Sequence, residues 1–387
     1  MRRRQDFMAR GPRSAARQWA IVFLFFLPSS IATHPLLTWL SERPGAGAMP
    51  GHTHKGVLLI ELRASNAGDG IGAYLTQPVQ AGDVLFAIPS EAFISLGTAL
   101  RHPQLGSAFQ QLWEESSDGG VAVLAGLIAH LQLNGEEPHP YLGMLPTGLD
   151  EQNHVLWWAD DEIALLAGTS AYDEAVSLRA EAAAVCDQLL ATALAADAAQ
   201  HGNAAVRDAV RDALVSVLSR SYGVLSDSGR ECKALVPLLD ALNHRGSAPT
   251  VGYSFTGAAG DEGGCGGEGG RDGLLIARSL CDLSTGEELL VSYGDQADLA
   301  FGLHYGFVPP ADEARTHAEL STVRDELGAH DGAVSEVARA QLEALERGEE
   351  RARRASGRSI RPCCASLAQD LRRSERRVLQ RLASEGG

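Results

Sequence analysis

Two stretches of the chain, Leu235–His244 (LVPLLDALNH) and Gly286–Gly294 (GEELLVSYG), decide how the sequence is interpreted. Each sets polar side chains directly against an apolar run, with Asn-His closing the first and Tyr-Gly closing the second. Apolar runs usually end in turn residues instead. Two such clusters of hydrogen-bonding groups stand roughly fifty residues apart and are unusual ends for apolar runs.

The order of hydrophobic periods predicts an α+β fold. Strand-like runs occupy residues 57–62 and 75–88, and strand character returns at residues 251–255 and 274–278. Between them the pattern has a helical period, which predicts a helical insert at about residues 96–218. The chain is helical and highly charged after residue 311. The stretch 257–273, nearly all Gly, Asp and Glu, is expected to be a floppy hairpin insertion.

The N-terminus has the pattern of a targeting leader. Arginines precede an apolar run at Trp19–Leu27, and Ser30-Ile31-Ala32 would serve as a cleavage site. The leader could be a secretory signal, part of a bipartite organelle-targeting sequence or an uncleaved anchor, and only the anchor would bring membrane contact. Cytoplasm or nucleus is the alternative location. We expect a leader and linker at residues 1–50, a main domain at 51–310 and a helical region at 311–387.

Composition limits the classes of function. The 45% hydrophobic fraction is that of a globular protein, and the net charge of −16 argues against a nucleic-acid partner. The six cysteines include no CxxC pair, and no His/Cys cluster has zinc spacing, so no metal site is expected. Only Lys55 and Lys233 are lysines, which we attribute to a coding bias toward arginine.

With several shorter segments, the two opening stretches resemble the SET-domain protein methyltransferases, in particular the subfamily of the RuBisCO large-subunit methyltransferase and its actin-histidine relatives. The resemblance implies a β-rich SET domain threaded as a pseudoknot, with a helical insert and a short helical C-terminal appendage like a truncated substrate-binding domain. The chain departs from the family by one residue fewer between Tyr293 and Tyr305. The segments that carry the resemblance are Asp69–Gly72 (DGIG), Pro140–Pro146 (PYLGMLP), Ser219–Tyr222 (SRSY), Asp240 with Asn243-His244, Tyr253, Tyr293 and Tyr305.

The same resemblance implies roles for individual residues. Tyr293 would be the catalytic tyrosine, and Tyr253 and Tyr305 would line the channel for the acceptor. The residues implied to bind the cofactor, S-adenosylmethionine, are Asp69, Ile71, Arg220, Asp240, Asn243 and His244. Each has a structural alternative: a histidine that caps a turn, a tyrosine at the end of a strand, an aspartate cap or a surface ion pair.

The function implied is an S-adenosylmethionine-dependent protein-lysine N-methyltransferase that acts on a non-histone protein, most simply as a monomer. The acceptor nitrogen must be neutral to attack, and an apolar channel would lower the pKa of lysine from its reference of about 10.4. One alternative keeps the chemistry and changes the acceptor to histidine. Others are a SET-fold binding module without turnover and a secreted or lumenal interaction protein.

Overall fold

The computed structural model describes residues 34–43, 59–66, 70–116, 120–135, 139–225, 231–256, 273–310, 331–355 and 360–384. Strands, a helical segment, further strands and then helices follow one another as expected, which confirms the α+β prediction. The predicted leader before residue 34, Asp69 and residues 257–272 of the expected insertion lie outside the described residues.

The strands are short and are distributed along the whole main domain. Their bounds are β1 Ile60–Ala64, β2 Ile71–Leu75, β3 Val84–Pro89, β4 Ile94–Ser95, β5 Ser221–Leu225, β6 Glu231–Leu235, β7 Asn243–His244, β8 Val251–Thr256, β9 Leu274–Ser279 and β10 Leu290–Val291.

The helices fall into a short N-terminal helix, an insert between β4 and β5, and a C-terminal region. Their bounds are α1 Pro35–Ser41, α2 Leu96–Leu100, α3 Gly106–Glu115, α4 Val121–Asn134, α5 Asp160–Ile163, α6 Ser170–Ala191, α7 Ala195–His201, α8 Asn203–Arg220, α9 Asp298–Ala300, α10 Asp331–Ala355 and α11 Pro362–Ser384.

The strands form small sheets that join distant parts of the chain. β1 and β2 make an antiparallel hairpin, β3–β9–β8 and β4–β6–β5 are three-stranded, and β7 pairs with β10 in parallel. In that last pair Asn243 lies opposite Leu290 and His244 opposite Val291. The stretches Leu235–His244 and Gly286–Gly294 therefore lie side by side where these two strands pair.

The helical insert is built around α4, which is apolar on almost every side because helices surround it. Gly126 lets α4 pack closely against the side chains of Phe109 and Leu189. A Cβ at this position would lie 2.9 Å from Phe109 and 2.8 Å from Leu189. Helix α8 packs along α4 with small and β-branched residues at helical spacing, namely Val206, Val210, Ala213 and Val217.

Helix α1 packs into the main core, although the sequence analysis assigned residues 1–50 to a leader and linker. Leu36 and Leu40 are fully buried, and Leu37 is nearly so. The ring of Trp39 meets His139 edge to face, with centroids 4.9 Å apart. These leucines lie on one face of the helix, and that face is buried in the main core. Residues 34–43 therefore pack with the main domain.

The C-terminal helices pack on each other and on the insert. Val334 and Ala338 of α10 meet Val378 and Leu382 of α11 in a small core of their own. The first half of α11 joins a second core, which includes Leu303 between α9 and the end of the main domain. The C-terminal region is thus packed against the rest of the chain.

No single helix among the described residues is long and apolar enough to cross a membrane. Helices α6 and α7, bent by 89° at their junction, pass the same criteria of length and composition only when taken together.

Burial of α1 predicts that it contributes to stability. Leu40→Ala in the full chain should lower the free energy of unfolding by about 2–5 kcal/mol, because it removes buried methyl groups and leaves a cavity. Urea denaturation measures the change. Thr38→Ala, on the exposed face of the same helix, is the matched control and should have little effect. Equal stability of the two variants would show that α1 does not hold to the core.

Candidate functional site

The parallel pairing of β7 with β10 brings the two polar motifs into direct contact. The backbone N–H of Tyr293 donates a hydrogen bond to Nδ1 of His244 at 3.1 Å. The Tyr293 hydroxyl donates to the carbonyl of Leu242 at 2.9 Å. Because Nδ1 of His244 accepts, a neutral His244 carries its proton on Nε2. The imidazole of His244 thus holds the backbone of Tyr293 in place.

A strained turn sets the position of the first motif. Leu238 has a φ of 73°, which a residue with a Cβ rarely adopts, and its side chain is fully buried. Such backbone conformations cost about 1–3 kcal/mol and persist only where packing enforces them. The turn leads directly into the short 3₁₀ helix Leu239–Ala241, which carries Asp240 to the site.

A cavity of about 390 Å³ lies beside Tyr293. It collects residues from the end of α8, strands β5, β6 and β8, and the segment after β10. Its wall is formed by Ser219, Arg220, Ser221, Tyr222, Gly223, Lys233, Asp240, Tyr253, Ser292, Tyr293, Gly294, Gln296 and Tyr305.

Four tyrosines give the cavity its aromatic character. The rings of Tyr293 and Tyr305 stack with centroids 4.9 Å apart, and those of Tyr222 and Tyr253 meet edge to face at 5.3 Å. Burial raises the pKa of all four hydroxyls. They therefore stay protonated at neutral pH, and the hydroxyls of Tyr293 and Tyr222 donate to the backbone carbonyls of Leu242 and Leu239.

Gln296 links two of these tyrosines. Its side-chain Nε2 donates to the hydroxyl of Tyr305 at 3.1 Å and to the backbone carbonyl of Tyr293 at 2.8 Å. Gly306, with a φ of 80°, ends the π-helical turn Phe301–Tyr305, and a Cβ there would lie 2.2 Å from the Asn153 carbonyl oxygen. Only glycine fits this close approach, which positions Tyr305.

Arg220 and Asp240 form the charged part of the wall. Arg220 Nη1 donates to the backbone carbonyl of Asp240 at 3.0 Å and lies 4.0 Å from its carboxylate. The fully buried Tyr141 donates its hydroxyl to the same carboxylate at 2.9 Å. Burial raises the pKa of Asp240 to about 6, although Arg220 and Tyr141 both act to lower it.

Asn243 takes part in a separate network on the side of the β1–β2 hairpin. Its Nδ2 donates to the Glu288 carboxylate at 2.9 Å, to the Ser65 hydroxyl at 3.0 Å and to the Ile71 carbonyl at 3.2 Å. Ile71 is 44% exposed, high for an isoleucine, and lies at the edge of this network. Asn243 thus joins the segment Asp240–His244 to the DGIG segment, which contains Ile71.

The structure brings most of the predicted site residues into two neighbouring groups. Arg220, Asp240, Tyr253, Tyr293 and Tyr305 line the cavity. Asn243 and Ile71 meet in the network beside it, and His244 packs against Tyr293, with ring centroids 5.1 Å apart. Asp69 lies outside the described residues.

Residues of the site that were not predicted include Tyr222, Lys233, Gln296 and Glu288. Tyr222 belongs to the SRSY segment, one of the segments that carry the family resemblance. The resemblance did not assign this tyrosine a role. Glu288 stands in the opening stretch GEELLVSYG, but the partners of its carboxylate come from residues more than forty positions away. Lys233 and Gln296 belong to no motif: strand pairing places Lys233 in the wall, and the segment after β10 places Gln296 there.

The raised pKa of Asp240 predicts a pH dependence of stability. An acid whose folded-state pKa is raised contributes stability that is full below its unfolded value, 3.8, and is lost as the pH rises through about 6. The unfolding free energy of the wild type, relative to Asp240→Asn, should therefore fall by up to about 3 kcal/mol between pH 3.5 and pH 7. Chemical denaturation across this range measures it. Asp173→Asn, at an exposed position, is the control, and parallel curves for the wild type and Asp240→Asn would contradict the assignment.

No protein-family model matches the chain. Its curated relatives include actin-histidine N-methyltransferases. The Homo sapiens protein is 22% identical over 276 residues, which cover 70% of this chain and 41% of the relative. The Danio rerio protein is 25% identical over 246 residues, or 62% of this chain and 38% of the relative. The chain thus spans about two fifths of the length of these relatives.

Solved structures with a similar fold include the SET domain of LSMT bound to lysine and AdoHcy, with a TM-score of 0.61 and 15% identity, covering 91% of this chain and 90% of that one. Another is Rubisco LSMT bound to AdoMet, with a TM-score of 0.60, 15% identity and 92% coverage of both chains. The fold similarity and the curated relatives confirm the resemblance to the SET-domain protein methyltransferases, and the chain has the SET fold.

Proposed function

We propose that this chain is an S-adenosylmethionine-dependent methyltransferase that modifies a side-chain nitrogen of a protein substrate. The observation that carries the proposal is the cavity of four protonated tyrosines beside the Asn243 network. Curated relatives named as actin-histidine N-methyltransferases support it. So do neighbours of the same fold that were solved with AdoMet or AdoHcy.

The residues beside the cavity fit such a cofactor. Within the described part of the chain, the amide oxygen of Asn243 accepts no hydrogen bond, so it is available to an ammonium group. Nε of Arg220 is buried and has no partner there. The exposed side chain of Ile71 offers an apolar surface. We assign Asn243 and Arg220 to the polar end of the cofactor and Ile71 to its apolar part, with His244, Asp240 and Asp69 as predicted.

When bound, S-adenosylmethionine supplies a methyl group on a positively charged sulfur. The chain itself has to hold a neutral acceptor nitrogen in line with that group. The stacked rings of Tyr293 and Tyr305 restrict how the acceptor lies, and alignment of this kind can contribute roughly 7–11 kcal/mol. The Leu242 carbonyl fixes the Tyr293 hydroxyl, so the oxygen is already oriented before the acceptor arrives.

The acceptor is a lysine or a histidine of the substrate protein. The sequence prediction of lysine stays a proposal, and the charges of the wall favour the histidine alternative. Arg220 and Lys233 both line the cavity, and cations oppose the entry of an ammonium. An imidazole, with a reference pKa of about 6.5, is mostly neutral at pH 7, whereas lysine, at about 10.4, is not.

Replacement of Tyr293 tests the catalytic assignment. Tyr293→Phe should reduce methyl transfer from labelled S-adenosylmethionine to proteins of a cell extract by roughly tenfold to 100-fold, because it keeps the stacked ring but removes the oriented hydroxyl oxygen that helps to align the reacting groups. Affinity for the cofactor should stay nearly unchanged, since the hydroxyl is not part of the Asn243 network. Amino-acid analysis of the labelled product identifies the acceptor as methyl-lysine or methylhistidine.

Tyr172→Phe, in an exposed tyrosine of α6, is the matched control. Loss of cofactor binding in Tyr293→Phe would show that Tyr293 is misassigned. Cofactor binding by the wild type without methylation of any protein would favour the alternative of a binding module.

A further inference from the structure

Lys233 has an unusual position for this chain. Of 33 lysine and arginine residues it is one of only two lysines, and it belongs to the wall of the tyrosine cavity. It lies on β6 opposite Gly223 of β5, and both residues belong to the cavity wall. Gly223 has no side chain that could contact Lys233 across the strand pair.

Lys233 is partly buried as a residue, and its side chain makes no hydrogen bond or ion pair with another residue in the described part of the chain. Its charge nevertheless acts on His304 in the π-helical turn Phe301–Tyr305. Burial lowers the pKa of His304, Glu174 acts to raise it, and Lys233 acts to lower it. His304 directly precedes Tyr305, so Lys233 lies on the Tyr305 side of the cavity.

The other charges of the wall do not neutralise Lys233. Arg220 is beside the carboxylate of Asp240, which also accepts the Tyr141 hydroxyl. The wall therefore carries one cation in excess. A half-buried cation attracts an anion more strongly than one in open water, because the local dielectric is lower. It repels a second cation for the same reason.

We propose that Lys233 is a specificity residue that binds the carboxylate of an aspartate or glutamate flanking the acceptor in the substrate protein. The substrate would then be an acidic segment around the modified residue. A compact ammonium suits this role, because a guanidinium at the same position would extend further into the space that the substrate must enter. This inference rests on the proposed function, since it assumes that the cavity receives a protein side chain.

Synthetic peptides that differ only in charge test the proposal. One set has a single histidine, and a parallel set a single lysine, flanked on both sides by Glu, Gln or Arg. Binding to the full chain is followed by fluorescence anisotropy with S-adenosylhomocysteine present, and methylation is followed with labelled S-adenosylmethionine. The wild type should prefer Glu-flanked over Gln-flanked peptides by about three- to tenfold.

Charge reversal at the cavity supplies the decisive comparison. Lys233→Met should abolish the preference, and Lys233→Glu should reverse it toward the Arg-flanked peptides. Arg101→Glu makes the same charge change at an exposed position outside the cavity wall and should leave the preference intact. Equal affinities for all peptides in the wild type, or an acidic preference that survives Lys233→Glu, would overturn the proposal.

Two further outcomes separate this inference from the proposed function. A binding preference that depends on Lys233 in a chain that methylates none of the peptides and no extract protein would support Lys233 as a recognition residue and contradict the enzyme assignment. Methylation of Lys233 itself, seen by mass spectrometry as added methyl groups on the wild type and not on Lys233→Met, would make it an acceptor and overturn its role in recognition.

Discussion

The arrangement of the site depends on the hydrogen bonds that the carboxylate of Glu288 accepts. This carboxylate accepts hydrogen bonds from three parts of the chain that are distant in sequence, and it covers Gly72 so closely that a Cβ there would lie 2.2 Å from its oxygen. Burial would raise the pKa of Glu288, but the hydrogen bonds outweigh burial and lower it. The donors are the Ser65 hydroxyl, the Asn66 N–H, the Tyr74 hydroxyl and the Asn243 amide, at 2.7–3.1 Å. Because one anion joins the hairpin to β7, the amide of Asn243 is held in one orientation.

The second half of the site is held by packing as well as by hydrogen bonds. The turn that carries Tyr305 begins at the buried Phe301, whose ring lies 4.7 Å from that of His244. Gly302 in the same turn is so close to α11 that a Cβ would lie 2.6 Å from Leu371. Ser374 and Arg377 of α11 also hydrogen-bond to Asp298, at the start of α9. The short C-terminal region therefore supports the wall of the cavity and not only its own core.

The features most visible in the sequence are those whose chemistry is local. Asn243 and Tyr293 were recognisable because a polar cluster ends each apolar run, and β7 and β10 then pair directly. Helix α1 lies in the stretch assigned to the leader and linker, yet its leucines belong to the main core. Leu36, Leu37 and Leu40 follow the apolar run Trp19–Leu27 in the sequence, and only tertiary packing shows that they belong to the core. Lys233 and Gln296 could not be predicted, because strand pairing and a turn, not a motif, bring them to the cavity.

The most direct test of the account is a calorimetric titration of the full chain with S-adenosylmethionine, beside Asn243→Ala. The account predicts saturable binding by the wild type and markedly weaker binding by the variant, whose circular dichroism should still show a folded protein. Absence of binding by a folded wild type, or an unchanged affinity in Asn243→Ala, would contradict the claim that the network around Glu288 forms one side of a cofactor site.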